Sequence, residues 1–270
     1  MITPVEYRDG VWFKRDDLYQ YAGVRGGKVR TCAYLAARAR QKGFDGLTTA
    51  SARTSPQAVI VAAVAKATGM TARIHMPFGN YTEQMDVCTA LGANIIQHRP
   101  GFNTVINAAA EQDRSHFLIP FGMQCREAVN QTRMQVENLP PQVKHIVMPV
   151  GSGMSLAGIL WGLKDYNRHN VTVTGVCVGA DPVKRLQVFA PWGWRRTARL
   201  VYADSAYEDP AADLSFFHGI QLDPYYEAKA VPYIDDGSLF WLVGIRGYFH
   251  EDRPDHSAFI AEGDGTSPVG

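Results

Sequence analysis

HIVMPVGSGMS, the sequence of residues 145–155, decides the fold. Its first six residues form a largely apolar run typical of a buried strand, and residues 156–166 continue as a helix. A strand that enters a helix through a Gly/Ser turn presents backbone N–H groups and the positive end of the helix dipole to an anion. The spacing matches neither the Gly-x-Gly-x-x-Gly of dinucleotide-binding folds nor the Gly-Lys-Ser/Thr of a P-loop. We therefore predict a monophosphate site, with a plain strand-to-helix turn as the alternative; its residues are Gly151, Ser152, Gly153, Met154 and Ser155.

Short β-like runs alternate with helical runs along the rest of the chain. Residues 46–49 and 72–76 are typical of strands, and residues 56–68 are typical of an Ala/Val-rich helix. This alternation is typical of parallel sheets covered by helices. We predict an α/β fold with two open parallel-sheet domains that carry helices on both faces. The large domain is expected at residues 1–43 and 123–270, and a small α/β domain at residues 44–122.

A second chemical signal is Lys28, which lies in the run VRGGKVR at residues 24–30. The glycines allow the backbone to approach a ligand closely. Residues 31–41 are rich in Ala, Leu and Arg, which favour a helix. A lysine that follows a glycine turn at a helix start is well placed for covalent chemistry. The alternative is an ordinary surface lysine.

Composition excludes several classes of protein. With 46% hydrophobic and 20% charged residues, the 270-residue chain is an ordinary globular protein of one large domain or two modest ones. The formal net charge of +1 gives no global electrostatic footprint for nucleic acid or an anionic membrane. No signal-peptide pattern opens the sequence and no run of apolar residues is long enough for a membrane span, so we predict a cytoplasmic protein. The cysteines lack Cys-x-x-Cys spacing, which predicts reduced and mostly buried thiols; they are Cys32, Cys88, Cys125 and Cys177.

Five segments, in the same order, resemble the fold-type II pyridoxal-phosphate enzymes, and within them the 1-aminocyclopropane-1-carboxylate deaminase and D-cysteine desulfhydrase branch. RGGKVR, at residues 25–30, is similar to that branch's Gly-Gly-Asn-Lys-x-Arg, and VGSGMSLAG, at residues 150–158, is similar to its phosphate loop. The other three segments lie at residues 3–18, 55–57 and 222–230. The resemblance spans nearly the whole chain and implies pyridoxal 5'-phosphate as the cofactor.

The resemblance also implies roles for single residues. Lys28 would be the Schiff-base lysine and the general acid/base that moves protons at the substrate. Glu227 would face the pyridine nitrogen, where a carboxylate strengthens the electron sink. Tyr226 and Tyr207 would lie near the substrate, and Ser55 would contact the substrate carboxylate or assist a proton transfer. For Tyr226 and Glu227 an ordinary exposed helix start is the alternative.

The chain departs from the family pattern at four places. Pro56 stands where the family carries an asparagine that binds the cofactor's ring oxygen, and proline offers no donor. Gly27 replaces the asparagine before the lysine, and Met154 replaces a phosphate-loop glycine. Residues 239–246 stand where many relatives carry Thr-Gly-Gly. We expect the phosphate cradle to survive, because backbone N–H groups form it, and the substrate pocket to differ from that of a standard deaminase.

These residues predict a lyase or deaminase that acts on an α-amino acid through an external aldimine, with decarboxylation open because the same electron sink serves it. Family precedent predicts a homodimer. One alternative is a lyase or decarboxylase for an amino acid carried on a modified base in DNA, as in phage thymine hypermodification. Another is a non-catalytic relative that binds cofactor or nucleic acid.

Two local features lie outside the family pattern. Residues 191–199, PWGWRRTAR, interleave two tryptophans with three arginines, which could stack on bases and neutralise phosphates. The alternative is an aromatic loop packed against protein. Residues 250–256 cluster two histidines with three carboxylates, but Pro254 and the spacing argue against a metal site, and none is predicted.

Overall fold

The computed structural model of the chain describes residues 1–99 and 103–246, so the His250–His256 cluster lies outside the described residues. The described chain forms two compact units. The first unit comprises Met1–Tyr19 and Met123–Ile245. The second comprises Gln20–Gly122, together with Arg246.

Helices and strands alternate through both units. The α-helices of the described residues are α1 Gly27–Gln41, α2 Pro56–Ala67, α3 Glu83–Ala90, α4 Asn103–Gln112, α5 Arg126–Arg133, α6 Met154–Asp165 and α7 Val183–Phe189. Short 3-10 helices lie at Asp16–Leu18, Phe121–Met123, Met134–Val136, Trp194–Arg196, Ala212–Leu214 and Glu227–Tyr233. The strands are β1 Val5–Arg8, β2 Val11–Arg15, β3 Gln20–Tyr21, β4 Val24–Arg25, β5 Gly46–Ala50, β6 Thr71–Pro77, β7 Asn94–His98, β8 Phe117–Leu118, β9 His145–Val150, β10 Thr172–Cys177, β11 Ala198–Tyr202, β12 Phe216–Phe217, β13 Ile220–Gln221 and β14 Leu239–Leu242.

The first unit is built on a six-stranded sheet in the order β1-β2-β14-β9-β10-β11. All neighbouring pairs are parallel except β1 and β2, which form an antiparallel edge. The register pairs Val150 at the end of β9 with Cys177 at the end of β10, so both strands end at one edge of the sheet. A core cluster lies on the sheet and includes Phe13, Val147 and Phe240, each completely buried. Burial on this scale explains why the central strands β9 and β14 are nearly continuous apolar runs.

The second unit has its own four-stranded parallel sheet, in the order β7-β6-β5-β8. Every residue of β5 is buried, as expected for a central strand with helices packed on it. Helix α2 packs against β5 and β6, and residues 58–65 are apolar on every side of the helix, in keeping with their complete burial. The predicted α/β class with parallel sheets is therefore confirmed in both units.

A buried polar network fastens the start of the chain within the first unit. The ammonium group of Lys14 is fully buried and donates to the Thr3 carbonyl and to the Asn138 side-chain oxygen, both at 2.7 Å. The Thr3 amide donates to Gln135 Oε1 at 2.9 Å. A buried lysine is tolerated when its donors are satisfied in this way. The family-like opening of the sequence thus supplies an anchor for the first unit.

Several boundaries differ from the sequence predictions. From the sequence alone, residues 126–138 predict one long helix that stops before Pro140, but α5 ends at Arg133 and a 3-10 turn follows at Met134–Val136. Strand β14 was not predicted. Residues 20–43, which the prediction assigned to the large domain, group with the second unit, because α1 packs against α2 and β5 there.

The four cysteines are unpaired thiols, and three of them are buried. Burial raises the pKa of Cys88 to about 12 and that of Cys177 to about 11, so both stay protonated near neutrality. Among residues 1–99 and 103–246, every helix is too short or too polar to cross a bilayer.

Glycines let α6 pack closely on α5. A Cβ on Gly158 would lie 2.6 Å from the Val129 carbonyl oxygen and 2.6 Å from Thr132 Cβ. On Gly162 a Cβ would lie 2.6 Å from the Arg133 carbonyl oxygen. Backbone oxygens cannot move aside cheaply, so the small residues set the distance between the two helices.

We expect Gly158→Ala to lower the free energy of unfolding by about 1–2 kcal/mol, because overpacking outweighs alanine's higher helix propensity. Urea denaturation is the measurement. Lys164→Ala, on the exposed side of the same helix, serves as control and should change stability little. An unchanged or higher unfolding free energy for Gly158→Ala would show that the helices can separate at no cost.

Candidate functional site

The turn between β9 and α6 has the geometry of an anion cradle. Gly153 is the N-cap of α6 and has a φ of +88°, a left-handed conformation that favours glycine. The first backbone N–H groups of a helix have no acceptor within the helix, so they are available to a ligand. The Met154 side chain is 3% exposed and packs into the interior. Methionine at this position therefore leaves the backbone donors of the turn unobstructed by its own side chain.

Neighbouring side chains crowd the glycines of the turn. A Cβ on Gly151 would lie 2.9 Å from the Tyr226 hydroxyl oxygen. On Gly153 a Cβ would lie 3.2 Å from Leu186 Cδ2 and 3.3 Å from Pro182 Cβ. The predicted residues Gly151 and Tyr226 are thus direct neighbours in the first unit.

Glu227 is buried at the start of the Glu227–Tyr233 3-10 helix, so the exposed-helix alternative does not hold for it. Its Oε1 accepts a hydrogen bond from the Gly244 amide at 3.0 Å. Its Oε2 is buried without a hydrogen-bond partner in the part of the chain that the structure describes. Burial, and secondarily the charge of Asp223, raise the pKa of Glu227 well above its ordinary value. Oε2 of Glu227 can therefore take one further hydrogen-bond partner.

Tyr226 enters the same region through the turn that precedes this 3-10 helix. The Asp223 carbonyl accepts hydrogen bonds from the amides of Tyr226 and Ala228, at 3.2 and 3.0 Å. Burial, with the neighbouring Glu227 and Tyr207, raises the pKa of the Tyr226 phenol well above its ordinary value. The phenol therefore stays protonated and can donate a hydrogen bond.

Tyr207 lies in the loop after β11, beside the turn after β10. A Cβ on Gly179 would lie 3.7 Å from Tyr207 Cδ2. The buried ammonium group of Lys229 donates to the Ala206 carbonyl and, at 3.5 Å, to the Tyr207 carbonyl. Lys229 thus ties the Tyr207 loop to the 3-10 helix that carries Glu227.

In the second unit, Lys28 is the second residue of α1. The N-cap of this helix is Gly26, whose φ of +111° and ψ of 173° are accessible only to glycine without strain. The glycine turn thus fixes where the helix starts, and with it the place of Lys28. The lysine is partly buried and not the fully exposed residue that a surface role would predict.

Ser55 is the N-cap of α2, and its hydroxyl oxygen accepts a hydrogen bond from the Gln57 amide at 3.3 Å. Pro56 occupies the first helical position, where a missing N–H costs nothing. The structure therefore gives Ser55 a capping role and leaves its hydroxyl proton available for donation.

Sequence reasoning missed four residues that shape these regions. Arg185 donates to the carbonyls of the glycine turn, and Gly244 donates to Glu227. Gln57 is buried and donates to Thr49 Oγ1 at 2.8 Å. Ser51 is buried directly after β5, at the carboxyl edge of the second sheet, where open α/β sheets bind ligands. For Ser51 a signal existed, since it directly follows a predicted strand; Arg185 and Gly244 were not predictable because their contacts join distant parts of the sequence.

We expect the pH dependence of stability to separate Glu227→Gln from the native, cofactor-free protein. Below pH 4.5, the ordinary pKa of this carboxyl, it is protonated in both the folded and the unfolded chain. As the pH rises from 4.5 towards the raised folded-state pKa, only the unfolded chain ionises, so native stability falls. The glutamine variant should lack this decline. Urea denaturation between pH 4 and pH 9 checks it, with the exposed Glu208→Gln as control; parallel curves for native protein and Glu227→Gln would refute it.

Comparisons with known proteins identify the family and the fold. The family described as pyridoxal-phosphate dependent enzyme matches residues 3–232. No curated protein matches the chain. Among solved structures, an ACC deaminase homologue has a TM-score of 0.77 at 21% identity, covering 90% of this chain and 89% of its own. Threonine deaminase isoform 2 from Solanum lycopersicum has a TM-score of 0.67 at 15% identity, covering 91% and 79%.

Maize serine racemase is also similar, with a TM-score of 0.63 at 14% identity, covering 92% of this chain and 89% of its own. At such identities the likeness concerns the fold. The family match, however, covers most of the chain and includes both Lys28 and the glycine turn. The chain belongs to the pyridoxal-phosphate-dependent enzyme family and has the fold-type II architecture, with pyridoxal 5'-phosphate as its cofactor.

Proposed function

We propose that the chain is a lyase or deaminase acting on an α-amino acid. The observation that carries this proposal is the buried Glu227 carboxyl, whose Oε2 lacks a partner among the described residues. A protonated pyridine nitrogen would supply the missing donor, and a phosphate would satisfy the amides of the Gly151–Gly153 turn. The residues present therefore fit pyridoxal 5'-phosphate. The names of the similar structures, which include deaminases, point to the same chemistry.

Each group of the cofactor has candidate partners in this chain. The turn amides at Gly151, Ser152, Gly153, Met154 and Ser155 would hold the phosphate, and Lys28 would hold the aldehyde carbon. When bound, the cofactor supplies an electron sink for negative charge at the substrate α-carbon. Glu227 would keep the ring nitrogen protonated, because loss of that proton would leave a buried carboxylate without a partner.

The remaining predicted residues would act on the substrate. Lys28 would take the proton from the substrate α-carbon and return it as a general acid. Tyr226, whose phenol stays protonated, would donate a hydrogen bond to a leaving group or carboxylate. Ser55 would donate its hydroxyl proton to the substrate carboxylate, and Tyr207 would line the substrate pocket. Loss of a β-leaving group or of ammonia would follow from the same proton abstraction.

We expect Lys28→Ala to lose both the lysine-linked cofactor and turnover. Borohydride reduction of the loaded protein, followed by peptide mass spectrometry, should find the cofactor on the peptide that contains Lys28 and not on other lysines. The variant should lose about 10²–10⁴-fold in kcat, the usual contribution of a general acid/base. Ammonia or sulfide release from a panel of amino acids is the activity measurement.

Lys66→Ala, a substitution in the last turn of α2, is the matched control for the borohydride experiment. It should retain both labelling at Lys28 and turnover. Cofactor labelling at a lysine other than Lys28, or none in the native protein, would refute the assignment. Labelling without turnover on any amino acid would favour a non-catalytic relative instead.

A second candidate substrate is an amino acid carried on DNA, and the observation that favours it is Trp192. This side chain is 92% exposed, and the Arg196 guanidinium lies 5.8 Å from its ring centroid. Both residues border a hollow of about 270 Å³ whose lining also includes Lys164 and His169 and contains no acidic residue. A free aromatic face beside cationic groups can stack a base and neutralise phosphate. Trp194, by contrast, is buried and unavailable for stacking.

We expect Trp192→Ala to weaken binding of a single-stranded oligonucleotide by about 5- to 100-fold, the effect of losing one stacked base. Fluorescence anisotropy at two salt concentrations is the measurement. Phe216→Ala, at another exposed aromatic residue of the first unit, should bind like the native protein. If the native protein does not bind the oligonucleotide, or if both variants lose affinity equally, the DNA-linked substrate is ruled out in favour of a free amino acid.

A further inference from the structure

Arg185, on α7, donates hydrogen bonds to the backbone carbonyls of the glycine turn. Its Nε donates to the Ser152 carbonyl at 2.9 Å, and its Nη2 donates to the Gly151 carbonyl at 3.1 Å. The same Nη2 lies within hydrogen-bond distance of the carbonyls of Ala180 and Asp181, at 3.1 and 3.0 Å. One guanidinium therefore joins the turn after β9 to the turn after β10.

These hydrogen bonds determine where the turn's amides point. In a trans peptide the C=O and N–H bonds point in opposite directions, and the described chain contains no cis peptide. The Gly151 carbonyl shares its peptide with the Ser152 N–H, and the Ser152 carbonyl shares its peptide with the Gly153 N–H. Because both carbonyls face Arg185, both N–H groups face away from it. The hydrogen bonds from Arg185 thus orient the Ser152 and Gly153 N–H groups.

The surroundings hold Arg185 in this position. Asp181 Oδ1 accepts a hydrogen bond from the amide of Val183, the first residue of α7, at 2.9 Å. Leu186, which directly follows Arg185, packs against Gly153 and would contact a Cβ added there. Helix α7 therefore contacts the turn through two consecutive residues, the charged Arg185 and the apolar Leu186.

We propose that Arg185 is a positioning residue for the cofactor phosphate, acting through the backbone amides of Ser152 and Gly153 and not through direct contact. Substitution should then weaken the binding of the phosphate group specifically. A role in general stability alone would weaken binding of the whole cofactor, or destabilise the fold, without regard to phosphate.

The test compares pyridoxal 5'-phosphate with pyridoxal, which lacks the phosphate, by titrating each into cofactor-free protein and following absorbance. Arg185→Gln should weaken binding of the phosphorylated form about 10- to 100-fold, the range for charge-assisted hydrogen bonds, and should change pyridoxal binding little. Arg185→Lys keeps the charge but lacks the planar fork of Nε and Nη2 donors that reaches both turns, so it should lose most of the same preference.

Arg168→Gln is the matched control. Arg168 also donates to three backbone carbonyls of the first unit, those of Leu139, Pro140 and Val143. Its loss should lower thermal stability yet leave the ratio of the two affinities unchanged.

Equal losses for both ligands in Arg185→Gln, or a preference fully retained by Arg185→Lys, would overturn the proposal. A native protein without any preference for the phosphorylated form would overturn it together with the phosphate role of the turn. A second readout covers the case in which Arg185→Gln folds poorly. Inorganic phosphate should raise the Tm of the native and Arg168→Gln proteins but not that of Arg185→Lys; an equal rise in all three would count against the proposal.

Discussion

A backbone N–H that points at a ligand cannot also bond to the protein, and this constraint governs the region around residues 151–153. The N–H groups of Ser152 and Gly153 must therefore be positioned without serving as donors to the protein. The turn is held instead through its carbonyls, by Arg185, and through contacts with Tyr226 and Leu186. The left-handed φ of +88° favours glycine at Gly153, and a Cβ on Gly151 or Gly153 would crowd Tyr226 or Leu186.

A second constraint is the desolvation of Glu227. Because Glu227 is buried and only its Oε1 accepts a hydrogen bond, the ionised form is unfavourable and the pKa is raised. A cation beside Oε2, such as a protonated ring nitrogen, would favour the carboxylate form. In the role proposed for it, Glu227 would therefore both hold the cofactor and keep its ring protonated. Because Gly244 supplies the first hydrogen bond, the segment after β14 takes part in this role although its sequence departs from the family pattern.

The sequence predicted what is local. The strand β9, its glycine turn and helix α6 follow from a short run of residues, and the structure has them within two residues of the expected limits. Lys28 at a helix start and Pro56 in a first turn follow in the same way. Contacts between distant residues were not predictable. Arg185 lies 34 residues from Gly151 and Gly244 lies 17 residues from Glu227, and no periodicity encodes such pairs.

Burial was the other quantity that the sequence left open. The segment Asp-Pro-Tyr-Tyr-Glu, at residues 223–227, is equally compatible with an exposed helix start. Only packing against β9 and β10 makes Glu227 an interior residue. Strand β14 was missed for a related reason. Its apolar run is short, and what makes it a strand is the pair of neighbours, β2 and β9, between which it fits.

That position of β14 has a consequence for how the chain is made. On the ribosome, β1 and β2 emerge first, the whole second unit follows, and β9 to β11 come later still. Until residues 239–242 have been synthesised, the six-stranded sheet exists as two separate pieces with two unsatisfied edges. The parallel sheet of the second unit, by contrast, has all four of its strands by residue 118 and can close early. The first unit is therefore the last to fold during translation, and its completion waits on a single four-residue strand.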